Sequence, residues 1–129
     1  MLVLDASVAF AASAATDGFA VLGEDLAAPA LMWSEARSAL RLRGWQGALR
    51  QEEVTEARMR LERCPVERHA PASLGEEAWR IADEMGWGRT YDAEYLALAR
   101  LLGCRVVTLD ARLRRGADRL GLVVSPGEL

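Results

Sequence analysis

Short apolar runs alternate along this chain with longer stretches in which apolar residues recur at helical spacing. Residues 2–4, 105–109 and 122–124 are brief segments rich in leucine and valine, which is typical of buried strands. A further run at 26–29 ends in proline and predicts another short strand. Parallel strands that are covered on both faces have continuous apolar sequences of this kind. The pattern therefore predicts an α/β fold with a parallel sheet between layers of helices.

Helical periodicity is clearest after Ser73, where apolar residues recur every three or four positions through Met85. The sequence Ser73-Leu74-Gly75-Glu76 predicts a capping box at the start of this helix, and Thr90 is predicted to cap the next helix, at 91–102. The other predicted helical segments lie at 6–15, 19–24, 31–43, 52–62 and 111–119. Because no repeat, linker or low-complexity tract interrupts the pattern, residues 1–129 are predicted to form one domain.

Composition narrows the chemistry that this domain can perform. Of 129 residues, 51% are hydrophobic and 27% are charged, and the formal net charge is −3. These fractions are typical of a globular protein. All 16 residues of the lysine and arginine class are arginine. The absence of lysine excludes P-loop and Schiff-base chemistry, and it excludes the receiver and haloacid dehalogenase-like folds, which also rely on a lysine.

The cysteines and the apolar segments predict a cytoplasmic protein. Cys64 and Cys104 lie far apart and form no C-x-x-C motif, so both are expected to be reduced and buried thiols. The single histidine, His69, leaves no set of zinc ligands at the usual spacing. No apolar stretch reaches the roughly 20 residues that span a bilayer, and the run at 8–15 has no basic segment before it, so no signal peptide is expected.

Four acidic residues are candidates for chemistry because of where the predicted elements place them. Asp5 and Asp110 each follow a predicted strand, and ligands of parallel sheets bind beyond the carboxyl ends of the strands. Glu35 and Asp92 lie near the starts of two predicted helices. If those starts face the same edge, four carboxylates converge and require counter-charge. Oxygen ligands suit Mg²⁺ or Mn²⁺, and two such ions about 4 Å apart would support phosphodiester hydrolysis.

Each of these acids also has a structural alternative, which the sequence leaves open. Asp5 and Asp110 could cap the helices that follow them. Glu35 and Asp92 could favour the dipole at a helix start, a contribution of about 0.3–1 kcal/mol. Five further glutamates are predicted to lie on solvated helix faces, namely Glu52, Glu53, Glu76, Glu77 and Glu94.

Four segments of the chain carry a resemblance to a known family. They are residues 3–8 (VLDASV), 29–35 (PALMWSE), 90–99 (TYDAEYLALA) and 107–113 (VTLDARL). The last two segments together are fairly specific, and all four occur in order from the first strand to the last. The chain resembles the PIN-domain ribonucleases of the VapC type, which are the toxins of type II toxin–antitoxin systems.

The resemblance implies a PIN-like three-layer α/β/α fold with a short, mainly parallel central sheet. It implies a metal-dependent endoribonuclease whose catalytic carboxylates, binding Mg²⁺ or Mn²⁺, are those of Asp5, Glu35, Asp92 and Asp110. Ser7 and Thr108 adjoin two of these acids and would orient them through hydrogen bonds, unless they are an ordinary cap and strand residue.

The resemblance also implies partners. Members of this family are usually homodimers and are held inactive by a small antitoxin whose basic C-terminal segment enters the acidic site. Some larger PIN nucleases have a further acid two residues after the fourth one. This chain has Arg112 at that position, which puts occupancy of a second metal site in doubt.

RNA must also be held by its phosphates, and arginine does this well through paired hydrogen bonds. The arginines expected near the site are Arg112, Arg114 and Arg115 after the last acid, and Arg37 and Arg41 on the helix of Glu35. No aromatic platform of the kind found in RNA-binding sheets is visible, so base stacking is not predicted. The alternatives are a Mg²⁺-dependent phosphatase or DNA nuclease on the same acids, and a catalytically silent PIN-like module that binds RNA or a partner.

Overall fold

Five short strands pair in parallel to form one sheet in the order β3-β2-β1-β4-β5 in the computed structural model, which describes residues 1–129. The strands are β1 (Leu2–Leu4), β2 (Leu26–Ala28), β3 (Val66–Arg68), β4 (Arg105–Val107) and β5 (Val123–Val124). In the central pair, Val3 of β1 is in register with Val106 of β4, and both residues are fully buried. The predicted α/β class is confirmed, and the sheet is parallel throughout.

Helices cover both faces of this sheet. They are α1 (Ala6–Ser13), α2 (Leu31–Trp45), α3 (Gln51–Glu62), α4 (Leu74–Met85), α5 (Tyr91–Leu102) and α6 (Ala111–Gly116), with short 3-10 turns at residues 20–22, 118–120 and 126–128. Helices α1, α2 and α3 pack on one another, while α4 packs on α5 and α5 packs on β1 and β4. The result is the three-layer α/β/α arrangement, and none of these helices is both long and apolar enough to cross a membrane.

Three differences between the predicted and the observed elements have a local explanation. Strand β3 was not predicted because only Val66 faces the core, as expected of an edge strand. Helix α2 continues through Gly44, where the absence of a side chain lets α3 approach closely, since a Cβ there would lie 3.0 Å from Val54 Cγ2. Strand β4 ends before Leu109, which is 54% exposed and whose amide donates a hydrogen bond to the Ser7 hydroxyl and not to a neighbouring strand.

Helices begin at both predicted positions, but the two predicted capping hydrogen bonds are absent. The side chains of Ser73 and Thr90 make no capping hydrogen bond at the starts of α4 and α5. The C-terminal ends of these helices are formed by Gly86 and Gly103, whose φ angles of 69° and 68° lie in the left-handed region. Glycine adopts that conformation without the steric cost that other residues incur.

Glu77 is a second correction, because the sequence placed it on a solvated face. The residue is only 8% exposed, since its carboxylate lies between two arginines. Oε1 accepts a hydrogen bond of 2.9 Å from Arg100 on α5, and Oε2 accepts one of 2.6 Å from Arg80. Arg100, and to a lesser degree Arg80, lower the pKa of Glu77 below its usual value. Glu77 therefore links α4 to α5, the helix whose first turn contains Asp92.

Replacing this acid with its amide, Glu77→Gln, should destabilise the protein in a pH-dependent way. Its pKa is lowered on folding, so its carboxylate stabilises the fold above the unfolded pKa of about 4.3 and loses that effect as pH falls through the folded value. We expect a loss of about 1 kcal/mol at neutral pH in urea unfolding. The difference from wild type should vanish in acid.

The neighbouring substitution Glu76→Gln is the matched control for this measurement. Glu76 precedes Glu77 on α4 and also contacts Arg80, but its side chain is 73% exposed. Exposed ion pairs contribute little to stability, so this variant should unfold as wild type does. A loss for Glu77→Gln that persisted in acid would mean that packing, and not charge, explains the effect.

Candidate functional site

The strand order changes direction at the centre of the sheet, and the candidate residues lie at that point. From β1 the chain moves outward to β2 and β3 on one side, and it then returns to β4 and β5 on the other. Crevices at such a point, beyond the carboxyl ends of the strands, are where open α/β sheets bind ligands. Asp5 directly follows β1, and Thr108 and Asp110 follow β4, the adjacent strand. Both aspartates therefore lie beyond the carboxyl ends of adjacent strands, as predicted.

Asp5 is buried and its carboxylate is held on both oxygens. Oδ1 accepts hydrogen bonds of 2.6 Å from the Ser7 hydroxyl and 3.1 Å from the Val8 amide, and the Thr108 hydroxyl donates to Oδ2. Burial raises the pKa of Asp5, while the Ser7 and Thr108 hydrogen bonds oppose that rise and the charge of Asp110 adds to it. Only 5% of the residue is exposed, and no arginine pairs with it. This negative charge is buried without a positive partner.

The Ser7 and Thr108 hydroxyls link the two central strand ends. Besides binding Asp5, Ser7 accepts a hydrogen bond of 2.9 Å from the Leu109 amide, and Thr108 accepts one of 2.9 Å from the Asp110 amide. The two hydroxyl oxygens are 3.4 Å apart. The orienting role expected of Ser7 and Thr108 is thus matched by direct contacts to Asp5, and the same contacts turn the chain after β4.

The structural alternative for Asp5 and Asp110 also occurs in this structure. Asp5 caps α1 through the Val8 amide, and Asp110 caps α6 by accepting from the amides of Arg112 and Leu113 at 2.9 and 3.3 Å. Each aspartate uses one oxygen, Oδ1, for its cap. Asp110 therefore keeps Oδ2 for another partner. Capping and cation binding are compatible in these two residues.

Asp92 lies at the start of α5 and shares a partner with Asp110. The Arg112 guanidinium is 3.3 Å from Asp92 Oδ2 and 3.5 Å from Asp110 Oδ2, so one positive charge lies between the two carboxylates. Burial raises the pKa of Asp92, an effect that Arg112 opposes and that Asp110 reinforces. Arg112 is 76% exposed, so these contacts are weak and readily exchanged.

Glu35 approaches the same point from the opposite helical layer. It is the fifth residue of α2 and not in the first turn, and it accepts a hydrogen bond of 2.6 Å from the Tyr95 hydroxyl on α5. Tyr95 is only 1% exposed, and burial together with the charges of Glu35, Asp5 and Asp92 raises the pKa of its hydroxyl. One buried tyrosine therefore lies within electrostatic reach of three of the four acids.

Sequence reasoning did not single out Tyr95 or Glu94 as site residues. Tyr95 had no signal beyond its place in the 90–99 segment, since a buried aromatic at helical spacing is normally a core residue. Glu94 was assigned to a solvated face, yet it is half-buried, and burial and the charge of Glu35 raise its pKa. Its proximity to Glu35 could not be inferred from the sequence, because Glu35 lies on a different helix in the opposite layer.

The donors at this point suit a hard divalent cation in their chemistry. All are oxygen atoms, and the buried charge of Asp5 has no positive partner, a situation that is costly without a cation. In the side-chain arrangement seen here, no three acidic, histidine or cysteine residues are grouped closely enough to hold a metal ion. Arg112 holds Asp92 and Asp110, so a shared cation would have to replace the arginine between them.

The arginines expected to bind RNA are not all gathered here. Arg112 is the one that contacts the carboxylates, whereas Arg114 is held by Glu128, at 2.6 Å, and by the Val123 carbonyl, at 2.9 Å. Arg115 is exposed on α6.

The two predicted arginines on α2 face a different surface. Arg37 is 2.9 Å from Glu62 of α3, and together with Arg41 it lines a groove of about 740 Å³ between these helices. That groove lies on the side of α2 that packs against α3, whereas Glu35 faces α5. Any contact of Arg37 or Arg41 with RNA therefore concerns a part of the substrate away from the carboxylates.

Comparison with known proteins identifies relatives of this chain. The family model of the PIN domain matches residues 2–119. VapC ribonuclease Mb0985 of Mycobacterium bovis and ribonuclease VapC9 of Mycobacterium tuberculosis are each 37% identical over 116 residues, which is 88% of this chain and 88% of each relative. Ribonuclease VapC3 of Mycobacterium tuberculosis is 39% identical over 88 residues, 68% of this chain and 62% of that protein.

A solved structure has the same architecture. The crystal structure of PAE2754 from Pyrobaculum aerophilum is similar over 98% of this chain and 90% of that chain, with a TM-score of 0.70 and 25% sequence identity. The similarity extends over nearly the whole chain, so the two proteins share the fold described above.

Proposed function

Because this chain belongs to the PIN-domain family, and to the VapC ribonucleases within it, we propose that it is a metal-dependent endoribonuclease and the toxin of a toxin–antitoxin pair. The observation that carries the proposal is that Arg112 contacts both Asp92 and Asp110, while the charges of Glu35, Asp5 and Asp92 all act on the buried Tyr95 hydroxyl. Its substrate is RNA, and the bond broken is a phosphodiester.

The proposed catalytic residues and cation ligands are Asp5, Glu35, Asp92 and Asp110. Mg²⁺ or Mn²⁺, when bound there, would lower the pKa of a water molecule and offset the charge that develops on the phosphate oxygens. Among the proposed ligands, Asp5 is the buried one, and hydrogen bonds from Ser7, Thr108 and the Val8 amide hold both its oxygens. Rigid placement of a ligand is what metal-assisted hydrolysis requires of the protein.

The other side chains divide the remaining tasks. Tyr95 keeps the Glu35 carboxylate directed toward α5 and, with its raised pKa, stays protonated as a donor. Arg112 lies at the exposed margin, where it balances Asp92 and Asp110 and would be released toward substrate phosphate when a cation takes its place. Hydrolysis would form a bond from water oxygen to phosphorus and break the bond to the 3′-oxygen, which receives a proton.

The proposal includes the partners typical of this family. We propose an antitoxin whose basic segment reaches the carboxylates, a homodimer, and a cytoplasmic location. The exposed carboxylate oxygens of Asp92 and Asp110 are charge-complementary to such a segment, because a single exposed arginine, Arg112, already binds them from the solvent side.

Removing divalent cations should abolish cleavage of RNA by the purified protein. A pool of cellular RNAs is incubated with Mg²⁺, with Mn²⁺ and with EDTA, and the products are resolved on a gel and their ends analysed. We expect discrete fragments with 5′-phosphate ends in either metal and intact RNA in EDTA. Restoring metal in excess of EDTA should restore cleavage.

Three results would contradict this expectation in different ways. Cleavage in EDTA would exclude the metal mechanism. Cleavage of single-stranded DNA but not RNA, or release of phosphate from monoesters only, would indicate a different hydrolase on the same acids. Binding of RNA without cleavage in either metal would indicate a catalytically silent module.

A further inference from the structure

A cavity of about 670 Å³ opens beside the proposed catalytic carboxylates, with Glu35 and Asp92 in its wall. The rest of its lining comes from the loop between α4 and α5 and from α6. Its volume lies within the roughly 300–1,000 Å³ usual for sites that bind small molecules or parts of larger ones. A group held in this cavity would lie directly next to the bond that the carboxylates are proposed to hydrolyse.

Two aromatic rings contribute to the lining. Trp87 follows α4 and is half-buried, and its amide is fixed by a hydrogen bond of 2.9 Å to the Ala82 carbonyl. Tyr91 is the first residue of α5 and is 55% exposed. The protein thus has one anchored ring and one exposed ring at the same cavity. Exposed aromatic side chains beside a groove are the usual surfaces on which nucleobases stack.

Gly116 at the end of α6 keeps the space in front of Trp87 free. A Cβ built at this position would lie 3.6 Å from Trp87 Cζ2, which is ordinary contact, and the backbone there does not require glycine. A side chain at this position would therefore fill part of the space beside the Trp87 ring, which glycine leaves open.

The charges in the cavity favour an uncharged occupant with a phosphate beside it. Glu35 and Asp92 are balanced by Arg89 and Arg112, so the lining has no net charge. Arg112 is engaged by the carboxylates, whereas Arg89 is exposed and forms no salt bridge. A flat neutral base inside the cavity and a phosphate on Arg89 at its margin match this distribution.

From this arrangement we propose that the cavity binds one unpaired nucleobase of single-stranded RNA, adjacent to the bond that is cleaved. The base stacks on Tyr91, next to Trp87, and Arg89 binds a neighbouring phosphate. This inference rests on the proposed function, since it names the form of RNA that the same site accepts. The sequence did not predict stacking because Trp87 and Tyr91 lie on a glycine-rich loop and a helix start, and not on a strand.

The proposal is tested by binding in EDTA, where RNA is not cleaved. A short fluorescein-labelled single-stranded RNA of mixed sequence is titrated with wild type and with Tyr91→Ala, and fluorescence anisotropy gives the Kd. Stacking on an aromatic ring contributes about 1–3 kcal/mol per base, so Tyr91→Ala should weaken binding about 5- to 150-fold. Tyr91→Phe keeps the ring and should bind as wild type does.

Three controls separate stacking from charge, from exposure of aromatic rings in general and from binding of paired RNA. Trp79→Ala removes a ring that is 66% exposed on α4, outside the cavity, and should leave the Kd unchanged. A strand with the same phosphates but abasic sugars should bind wild type about as weakly as the normal strand binds Tyr91→Ala. The same RNA annealed to its complement should also bind weakly, since its bases are paired.

The outcomes distinguish this proposal from the proposed function. Three results would each overturn the nucleobase cavity: equal binding of the normal and abasic strands, unchanged binding by Tyr91→Ala, or no binding of RNA by wild type. If wild type cleaves RNA in Mn²⁺ while Tyr91→Ala binds RNA normally, the nuclease stands and the cavity does not. If base-dependent binding requires Tyr91 but no RNA is cleaved in metal, the cavity stands and the nuclease does not.

Discussion

Asp5→Asn should eliminate RNA cleavage while leaving the protein folded. Loss of an outer partner of a metal ligand already costs about 10- to 100-fold in activity or affinity, so loss of a ligand's charge should cost at least about 100-fold. The structure adds that Asn can keep the cap on α1, since its amide oxygen can accept from the Val8 amide as Asp5 Oδ1 does. Cleavage of RNA in Mg²⁺ under single-turnover conditions measures the first effect.

Stability measurements should separate this loss from unfolding. The substitution removes a buried charge that has no positive partner and rearranges one hydrogen bond with Thr108, so unfolding in urea and EDTA should remain within about 1 kcal/mol of wild type. Mn²⁺ at 100 times its Kd should stabilise wild type by about 2.7 kcal/mol and the variant much less.

The control for Asp5→Asn is Asp83→Asn, which changes an exposed aspartate on α4 that makes no side-chain contact with the site. It should cleave RNA and respond to Mn²⁺ as wild type does. If Asp5→Asn retained wild-type cleavage, the reaction would take place elsewhere in the molecule.

Leu96→Ala should produce the largest loss of stability among simple substitutions near the site. Leu96 lies on α5, directly after Tyr95, and is completely buried in the main hydrophobic core. Leucine-to-alanine changes at such positions cost about 2–5 kcal/mol, because they remove apolar contact and leave a cavity. Since typical domains have only about 5–15 kcal/mol in total, urea unfolding should show a clearly lower midpoint.

The same substitution on the opposite side of the helix is the natural comparison. Leu101 also belongs to α5 but is 40% exposed, so Leu101→Ala should cost less than about 1 kcal/mol. Equal losses for the two variants would mean that helix propensity, and not burial against the sheet, determines the stability of α5.

The strands and helices that carry the site were predictable because their apolar patterns are local. The apolar runs at 2–4 and 105–109 identified β1 and β4, although β4 ends two residues earlier than predicted, and the acids that follow them could be placed at the same sheet edge by topology alone. Strand β3 was missed because an edge strand with Glu67 and Arg68 on its exposed positions has no apolar run. The caps at Ser73 and Thr90 were wrong because a sequence motif does not determine the rotamer that a cap requires.

What the sequence could not predict depends on contacts between distant helices. The hydrogen bond from Tyr95 to Glu35 spans 60 positions and joins two helical layers. Arg112 was expected near the margin of the site, but its position between Asp92 and Asp110 follows from how α6 packs beside α5. The burial of Glu77 likewise depends on Arg100, which comes from a neighbouring helix and not from its own.

Asp5 and Asp110 are helix caps as well as proposed cation ligands, which affects which residues persist when copies of this domain diverge. Asp5 and Asp110 each begin a helix, so a chain that had lost its activity would still gain stability by retaining them. Glu35 lies in the second turn of α2 and caps nothing, and its carboxylate is held only by the Tyr95 hydroxyl. Selection for folding acts on that acid only through this one hydrogen bond. Among diverged copies of this domain, the pair Glu35 and Tyr95 would therefore mark those that still hydrolyse RNA, whereas the strand-end aspartates would persist in active and inactive copies alike.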